Sequence, residues 1–441
     1  MTVWGLRSFV NSYYPRKPAQ LSLKSGDKIG IDRFIEKYVP DTRTGNYFWL
    51  NPLQGNGALQ TYRASGSDQD KSNKIWYGRR LITWDDGSLI SVDYVLDDPT
   101  DFKKWNELSK YSPIEKSPPL FERTRYLTPE EVEQRDDPNS TKPLLISLHG
   151  LTGGSHEMYV RATINEMRSR ADNSFEFLVI NSRGCARTVI TTPQLFCALY
   201  TDDIRRLVKL IKKTQPNRKI YLVGYSLGAS ILSNYLGQEG DNILVDGAVA
   251  LANPWDLSLS GHMLHDTWMG RTVYSPIMTG NLLNLIRHHK HKLAEDAWGK
   301  KAVESVKKPK FIFEFDDQFT APMFGFVSAG DYYRNSSSIL RLPNIRTPTL
   351  ILNSTDDPII GGESGIPYKE ASANPYTVVV TTSIGGHLGW FKADGGRWYT
   401  SVVADFFENL YRQVDGIQAD VDVPKRIYKN DRLVFEGVNL D

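Results

Sequence analysis

The chain has 441 residues, 40% hydrophobic and 24% charged, the balance of a globular protein long enough to bury a large core without staples. A formal net charge of +2, with no basic tract carrying interleaved aromatics, argues against nucleic acid as a partner. Two cysteines, Cys185 and Cys197, are too few for a disulfide scaffold and fit a reducing compartment; with no run of 18 apolar residues, no membrane-spanning helix is expected.

The stretch Met1 to Val10 lacks the continuous apolar centre and small-residue cleavage site of a secretory signal. An intracellular, cytoplasmic protein is expected, with contact to lipid droplets or organelle membranes at most peripheral. Trp4, Leu6, Phe9 and Val10 are expected to pack on the domain or fray rather than touch a membrane. Asn51 to Gly57 is rich in turn formers and reads as an irregular ordered loop, and Ser65 to Asn73 as a polar surface loop. Arg80–Trp84 and Leu89–Val95 flank Asp85-Asp86-Gly87-Ser88, which predicts a β-hairpin. Residues 97–140 carry Pro113, Pro118, Pro119, Pro129 and Pro138 among many charges. They read as a surface excursion with at most a short helix near Pro129 to Gln134.

From Pro143 the pattern becomes regular. Leu144–Leu148 is a buried-strand run, and Ser155 is expected to cap a helix reaching Ala171. Phe177–Ile180 is the next strand. Asp202 to Lys213 places acids first and lysines last, which suits the helix dipole. Lys219–Val223, a helix from Ala229, and Val245–Leu251 continue the alternation, the mark of a parallel sheet with helices on both faces. Between Trp255 and Ile345 the rhythm breaks into helical pieces with many aromatics, expected to lie over the strand ends as a cap. It resumes at Thr349–Asn353 and Thr377–Thr381, and Trp398–Val414 reads as a closing helix. The fold class is thus α/β. The expected divisions are an N-terminal extension with a hairpin joining the sheet (1–140), a core in two halves (141–254 and 346–415), the cap insertion (255–345) and a polar tail (416–441).

Gly224-Tyr225-Ser226-Leu227-Gly228 lies between a strand and a helix, the G-x-S-x-G pattern of a nucleophile elbow. The serine must turn sharply to project its oxygen above the sheet, so its neighbours must lack bulk. Such a serine needs an acid after a later strand and a histidine after the last one. Asp356-Asp357-Pro358 follows the Thr349 strand, and Gly385-Gly386-His387 follows the Thr377 strand. The expected triad is Ser226, Asp357 and His387, with Asp356 a turn residue bonding its own backbone. Two backbone N–H groups are needed for the oxyanion. Leu227, after the nucleophile, and Leu151, in the loop His149 to Ser155, are the expected donors. That loop lacks the lysine of a Walker motif and the spacing of a dinucleotide fingerprint. His288, His289 and His291 sit among Arg287, Lys290 and Lys292 and read as a solvated helix face rather than a metal site; Cys185 and Cys197 read as small buried hydrophobes.

Several motifs in order extend this pattern: His149-Gly150-Leu151-Thr152-Gly153-Gly154-Ser155, Asn181-Ser182-Arg183-Gly184-Cys185, the elbow, Asn253-Pro254-Trp255-Asp256-Leu257, Asp356-Asp357-Pro358, and Gly385-Gly386-His387-Leu388-Gly389-Trp390. Over about Leu50 to Leu410 they resemble the α/β-hydrolase-fold family of fungal medium-chain fatty acid ethyl ester synthase/esterases, and most of all its monoacylglycerol lipase members. The resemblance implies the same triad. Where that family often has Asn-Gly-His-Leu-Gln-Thr, this chain has Asn56-Gly57-Ala58-Leu59-Gln60-Thr61, so Ala58 is given no role. Tyr225 and Leu227 replace the Cys and Phe of some members, which leaves ester synthesis and hydrolysis both open. His291 with Asp296 fits a short H-x4-D pattern of related acyltransferases, one that arises easily by chance.

The expectation is a serine esterase or lipase without metal or organic cofactor, cleaving a medium- to long-chain acyl ester such as a monoacylglycerol. Trp268, Tyr274, Phe324 and Phe326 are expected to line the acyl site. Acyl transfer from an acyl-CoA to a small alcohol would use the same triad. A catalytically silent lipid-binding hydrolase fold is the alternative of another class.

Overall fold

The structure, a computed structural model, describes residues 6–66, 73–115, 118–170, 174–418, 426–429 and 432–435. Trp4, most of the Ser65 to Asn73 loop and most of the polar tail lie outside the described residues. In chain order the strands are β1 (Arg7–Tyr13), β2 (Gln20–Leu23), β3 (Lys28–Gly30), β4 (Tyr47–Trp49), β5 (Trp76–Thr83), β6 (Leu89–Leu96), β7 (Thr124–Tyr126), β8 (Leu144–Leu148), β9 (Glu176–Asn181), β10 (Ile220–Tyr225), β11 (Gly247–Leu251), β12 (Thr349–Ser354), β13 (Thr377–Thr382) and β14 (Val414–Gln418), followed by a pair at Arg426–Lys429 and Arg432–Phe435. Eleven of them form one sheet in the order β4-β1-β13-β12-β11-β10-β8-β9-β6-β5-β7, and β14, β2 and β3 form a small separate one.

The run β13-β12-β11-β10-β8-β9 is parallel throughout. Its strands are buried on both faces, which is why they read as continuous apolar runs. Alternation along each strand divides the core in two. Leu145, Val223, Val249 and Leu350 face the helices Met158–Ser169 and Trp398–Gln413. Ile146, Leu222, Ala250 and Ile351 face Asp202–Thr214 and Leu227–Glu239. The strand order reverses beside β8 and β10, and the crevice beyond the carboxyl ends of strands at such a reversal is where open α/β sheets bind ligands. The loop after β8 and the elbow after β10 both open there.

The hairpin forms as expected, β5 pairing antiparallel with β6, and β6 joins the sheet antiparallel to β9. Residues 255–345 are helical, chiefly Leu257–Asp266, Ser275–Leu293, Ala297–Ser305 and Ala329–Ser336, interrupted by π-helical turns at Gly270–Tyr274 and Asp316–Thr320.

Three expectations need correction. The 97–140 excursion holds more than the helix at Pro129–Arg135. It also has a helix at Phe102–Leu108, capped by Asp101, and the strand β7. Only the helix carries a local apolar spacing, at Phe102, Trp105 and Leu108; β7 carries none. Trp105 packs edge-on to Trp76, and β7 pairs with β5 some 47 residues earlier, so both are stabilised by distant partners. Ser155 caps nothing. The helix begins at Met158 after Glu157, with no side-chain cap, and Ser155 Oγ donates instead to Asp93 Oδ2 at 2.5 Å. The Asn51 to Gly57 stretch is not all loop. Asn56 accepts from the Leu59 N–H and starts a helix at Gly57–Ser65.

The first strand also reaches further than expected. β1 pairs antiparallel with β13, so the chain's beginning supplies a neighbour to its last parallel strand. Within it Val10 is wholly buried and Phe9 is exposed, as is Leu6 just before it.

Candidate active site

Ser226 follows β10 at φ 53° and ψ −120° and leads directly into the helix Leu227–Glu239. A β-substituted residue in this region costs about 1–3 kcal/mol of backbone strain. The two glycines make the turn possible. A Cβ on Gly224 would lie 2.6 Å from Ala229 Cα, and one on Gly228 would lie 2.1 Å from the Leu148 carbonyl oxygen.

His387 Nε2 stands 2.7 Å from Ser226 Oγ, and its Nδ1 stands 2.8 Å from Asp357 Oδ2. The Asp357 side chain is buried, and its other oxygen accepts from the N–H groups of Ile359 and Ile360 at 2.8 and 3.3 Å. A carboxylate held this way fixes the imidazole with its proton on Nδ1, leaving Nε2 free to accept from the serine hydroxyl. All three expected triad residues therefore meet.

Asp356 does not bond its own backbone. Its Oδ1 accepts from the N–H groups of Gly385 (3.0 Å) and Gly386 (2.9 Å) and from Ser354 Oγ, so it clamps the histidine loop. Only one of the two loop glycines is left-handed. Gly386 has φ +58°, and Leu388 and Trp390 share that sign. Gly385 is needed for contact, since a Cβ there would lie 2.5 Å from Trp390 Nε1.

The helix Gly57–Ser65 supports the same loop, a role the sequence reading did not anticipate. Thr61 Oγ1 accepts from the His387 N–H at 2.8 Å and donates to the Gly57 carbonyl. Gln60 Oε1 accepts from the Phe391 N–H at 2.8 Å. The signal available was Asn56 as an N-cap; Asn-Gly reads more readily as a turn.

Leu227 is the first residue of its helix, so its N–H has no intrahelical acceptor. The loop after β8 approaches closely enough that a Cβ on Gly150 would lie 3.5 Å from Ser226 Cβ. Several contacts hold that loop. The Gly150 N–H donates to Tyr159 Oη at 2.9 Å. His149 Nε2 accepts from the Ser182 N–H at 3.0 Å, which leaves Nδ1–H to donate to the Gly150 carbonyl. Burial lowers the His149 pKa to about 4, in keeping with a neutral ring that accepts. At the loop's end, Ser155 joins a buried network. Asp93 pairs with Arg79 at 2.7 Å and also accepts from Asn181, and Arg79 reaches the Ala186 carbonyl. The hairpin thereby braces the loop that carries Leu151.

A cavity of about 90 Å³ opens at Ser226, with Leu151 and Leu227 on its wall. Its aromatic lining is Phe196, Tyr332 and Tyr333, not the expected Trp268, Tyr274, Phe324 and Phe326. Trp268 is largely exposed, and Phe324 and Phe326 pack in a side cluster around Ala321 and Tyr332. The aromatics of the helical insertion are divided between its own packing, as at Phe315 and Phe319, and its surface, as at Trp268 and Trp298, which aromatic content alone does not reveal.

Of the histidine cluster, His288 and His291 are exposed, while His289 is half-buried with Nε2 3.0 Å from the Gly184 carbonyl oxygen. Asp296 caps the helix Ala297–Ser305 through the Gly299 N–H. Among the described residues no group of three or more His, Cys, Asp or Glu side chains is arranged to hold a metal ion. Both cysteines are unpaired and buried in separate clusters, and burial pushes the Cys197 thiol up to about 12.

A strained serine at a strand–helix elbow, facing a carboxylate-anchored imidazole beyond a parallel sheet, defines a hydrolase of the α/β class. Residues 143–392 match the family model described as alpha/beta hydrolase fold, and the chain belongs to that family. It is 38% identical over 429 residues to a monoacylglycerol lipase of Saccharomyces cerevisiae, covering 94% of this chain and 93% of that one. It is 35% identical to medium-chain fatty acid ethyl ester synthase/esterase 2 of the same yeast (92% and 95% covered), and 31% identical to phospholipase ABHD3 of Mus musculus (64% and 65% covered). No helix among the described residues is long and apolar enough to cross a membrane.

Proposed function

We propose that this protein is a serine carboxylic-ester hydrolase acting on medium- to long-chain acyl esters of the monoacylglycerol type through an acyl-enzyme. The unbroken chain from Ser226 Oγ through the His387 ring to Asp357, at 2.7 and 2.8 Å, carries the reading. Ser226 attacks the ester carbonyl as His387 takes its proton. The imidazolium is stabilised by Asp357 and returns the proton to the leaving alcohol; water then repeats the sequence on the acyl-enzyme. The N–H groups of Leu151 and Leu227 hold the oxyanion, each worth about 3–4 kcal/mol in the transition state. The helical stretch 255–345 acts as a cap that shields this chemistry from water.

A panel of p-nitrophenyl esters of increasing chain length, together with a monoacylglycerol, tests the reading. Hydrolysis that is abolished in Ser226→Ala, with parallel loss of fluorophosphonate labelling, is expected. Folded wild-type protein that neither hydrolyses nor labels would instead indicate a silent lipid-binding fold.

The relative named as an ester synthase favours one second reading, in which an alcohol replaces water in the last step. Labelled acyl-CoA supplied with ethanol separates the two, since transfer accumulates ethyl ester and hydrolysis accumulates free acid.

A further inference from the structure

The cavity at Ser226 is walled mainly by aliphatic side chains, among them Leu257, Leu264, Met278 and Leu282. Two polar groups on its wall are out of keeping with that lining. Ser260, in the helix Leu257–Asp266, is 5% exposed, and its Oγ has no hydrogen-bond partner. A helical serine ordinarily returns its hydroxyl to the carbonyl four residues back; this one does not.

The second is Asp316, in the π-helical turn Asp316–Thr320. It is 7% exposed, receives Thr320 Oγ1–H at 2.6 Å and Tyr333 Oη–H at 2.8 Å, and pairs with no cation among the described residues. Space for the tyrosine is built in, because Gly261 presents no side chain where a Cβ would lie 2.9 Å from the Tyr333 ring. Burial raises the Asp316 pKa to about 6, so an uncompensated carboxyl is being held in an apolar site.

A buried hydroxyl without a partner and a buried carboxyl without a cation are both costly unless something completes them. Their shared cavity begins at the nucleophile and, at about 90 Å³, is far smaller than the several hundred Å³ of a pocket that swallows a large ligand whole. Whatever completes them is therefore small and close to the ester.

We propose that Ser260 and Asp316 form a subsite that binds a free hydroxyl carried by the substrate within a few bonds of the ester carbonyl. The hydroxyl donates to the carboxyl group and accepts from Ser260, which satisfies both side chains. Such a hydroxyl comes either from a polyol alcohol part, as in a glycerol ester, or from a hydroxylated acyl chain. The assignment rests on the esterase reading above.

The test compares two matched pairs of esters on wild type, Ser260→Ala and Asp316→Asn. One pair is a monoacylglycerol and the ethyl ester of the same acid. The other is a hydroxyacyl ethyl ester and its unhydroxylated counterpart. The readout is the ratio of kcat/KM within each pair. Ser260→Ala removes a group with no partner in the fold, so its folding is not at risk.

Wild type is expected to prefer the hydroxylated member of one pair, which identifies the source. Both variants are expected to cut that ratio up to about tenfold, the worth of one hydrogen bond. Ratios unchanged in both pairs overturn the subsite while leaving the esterase reading intact. Wild type that cleaves none of the four esters overturns both.

Discussion

Ser226 holds a backbone conformation that serine avoids, and the residues around it define what it can do. Asp357 fixes the tautomer of His387 through one oxygen while two backbone N–H groups hold the other. Asp357→Asn should keep this geometry but offer the ring the wrong partner. A fall in kcat of about 10³–10⁴-fold, with KM little changed, is expected from steady-state kinetics on a p-nitrophenyl ester. Asp316 makes a prediction about stability. Its folded pKa, about 6, lies above the ordinary 3.8 because burial disfavours the anion. Between those values the folded state binds more protons than the unfolded state, so this group's contribution to stability falls as pH rises from about 4 to beyond 6. An asparagine has no such dependence. The stability of Asp316→Asn relative to wild type should therefore grow by roughly 3 kcal/mol from pH 4 to pH 8, measured by urea denaturation at each pH. Tyr332, Tyr333 and Cys197 are the titratable neighbours, and burial keeps all three in their neutral forms across that range.

The helix Gly57–Ser65 does for His387 what the hairpin does for the loop carrying Leu151. Each fastens a loop that the parallel core cannot fasten itself, through polar groups buried at the seam. Thr61 accepts from the histidine's own N–H, so Thr61→Val leaves that donor unpaired in the interior. The expected loss is about 1–3 kcal/mol of stability by thermal denaturation. A fall in kcat of about tenfold or more should accompany it as the imidazole loses its register. Thr61→Ser should restore both, which a purely volumetric role would not require.

Taken together, the fold laces β1 to the last strand of the parallel run, far along the chain. β1 lies beside β13, Ser8 Oγ donates to the Ile384 carbonyl at 2.6 Å, and the Ser383 N–H donates to the Phe9 carbonyl. The two hydrogen bonds join residues more than 370 apart and end three residues from His387. Deleting residues 1–13 should uncover β13 as an edge strand, exposing backbone groups beside its buried Val378–Val380. Soluble aggregates by size-exclusion chromatography, and no esterase activity in any residual monomer, are the expected results. Closing contacts of this separation also gives the fold a high contact order, so refolding should be slow for its stability.

The parallel strands, the elbow and the triad were readable because each depends on short-range chemistry: apolar runs that demand burial on both faces, glycines that a sharp turn cannot do without, and acid and base at successive strand ends. The three-residue strand β7, the part played by Asp356, the service of Thr61 and the lining of the Ser226 cavity were not readable. Each is specified by a partner far away in the chain, and a side chain's own neighbours carry no record of which distant donor or carbonyl it will meet. Ser155 shows the difference most plainly. Its position suggests a helix cap, yet folding brings the carboxylate of Asp93 to its hydroxyl, and that charge-assisted bond prevails over the local one.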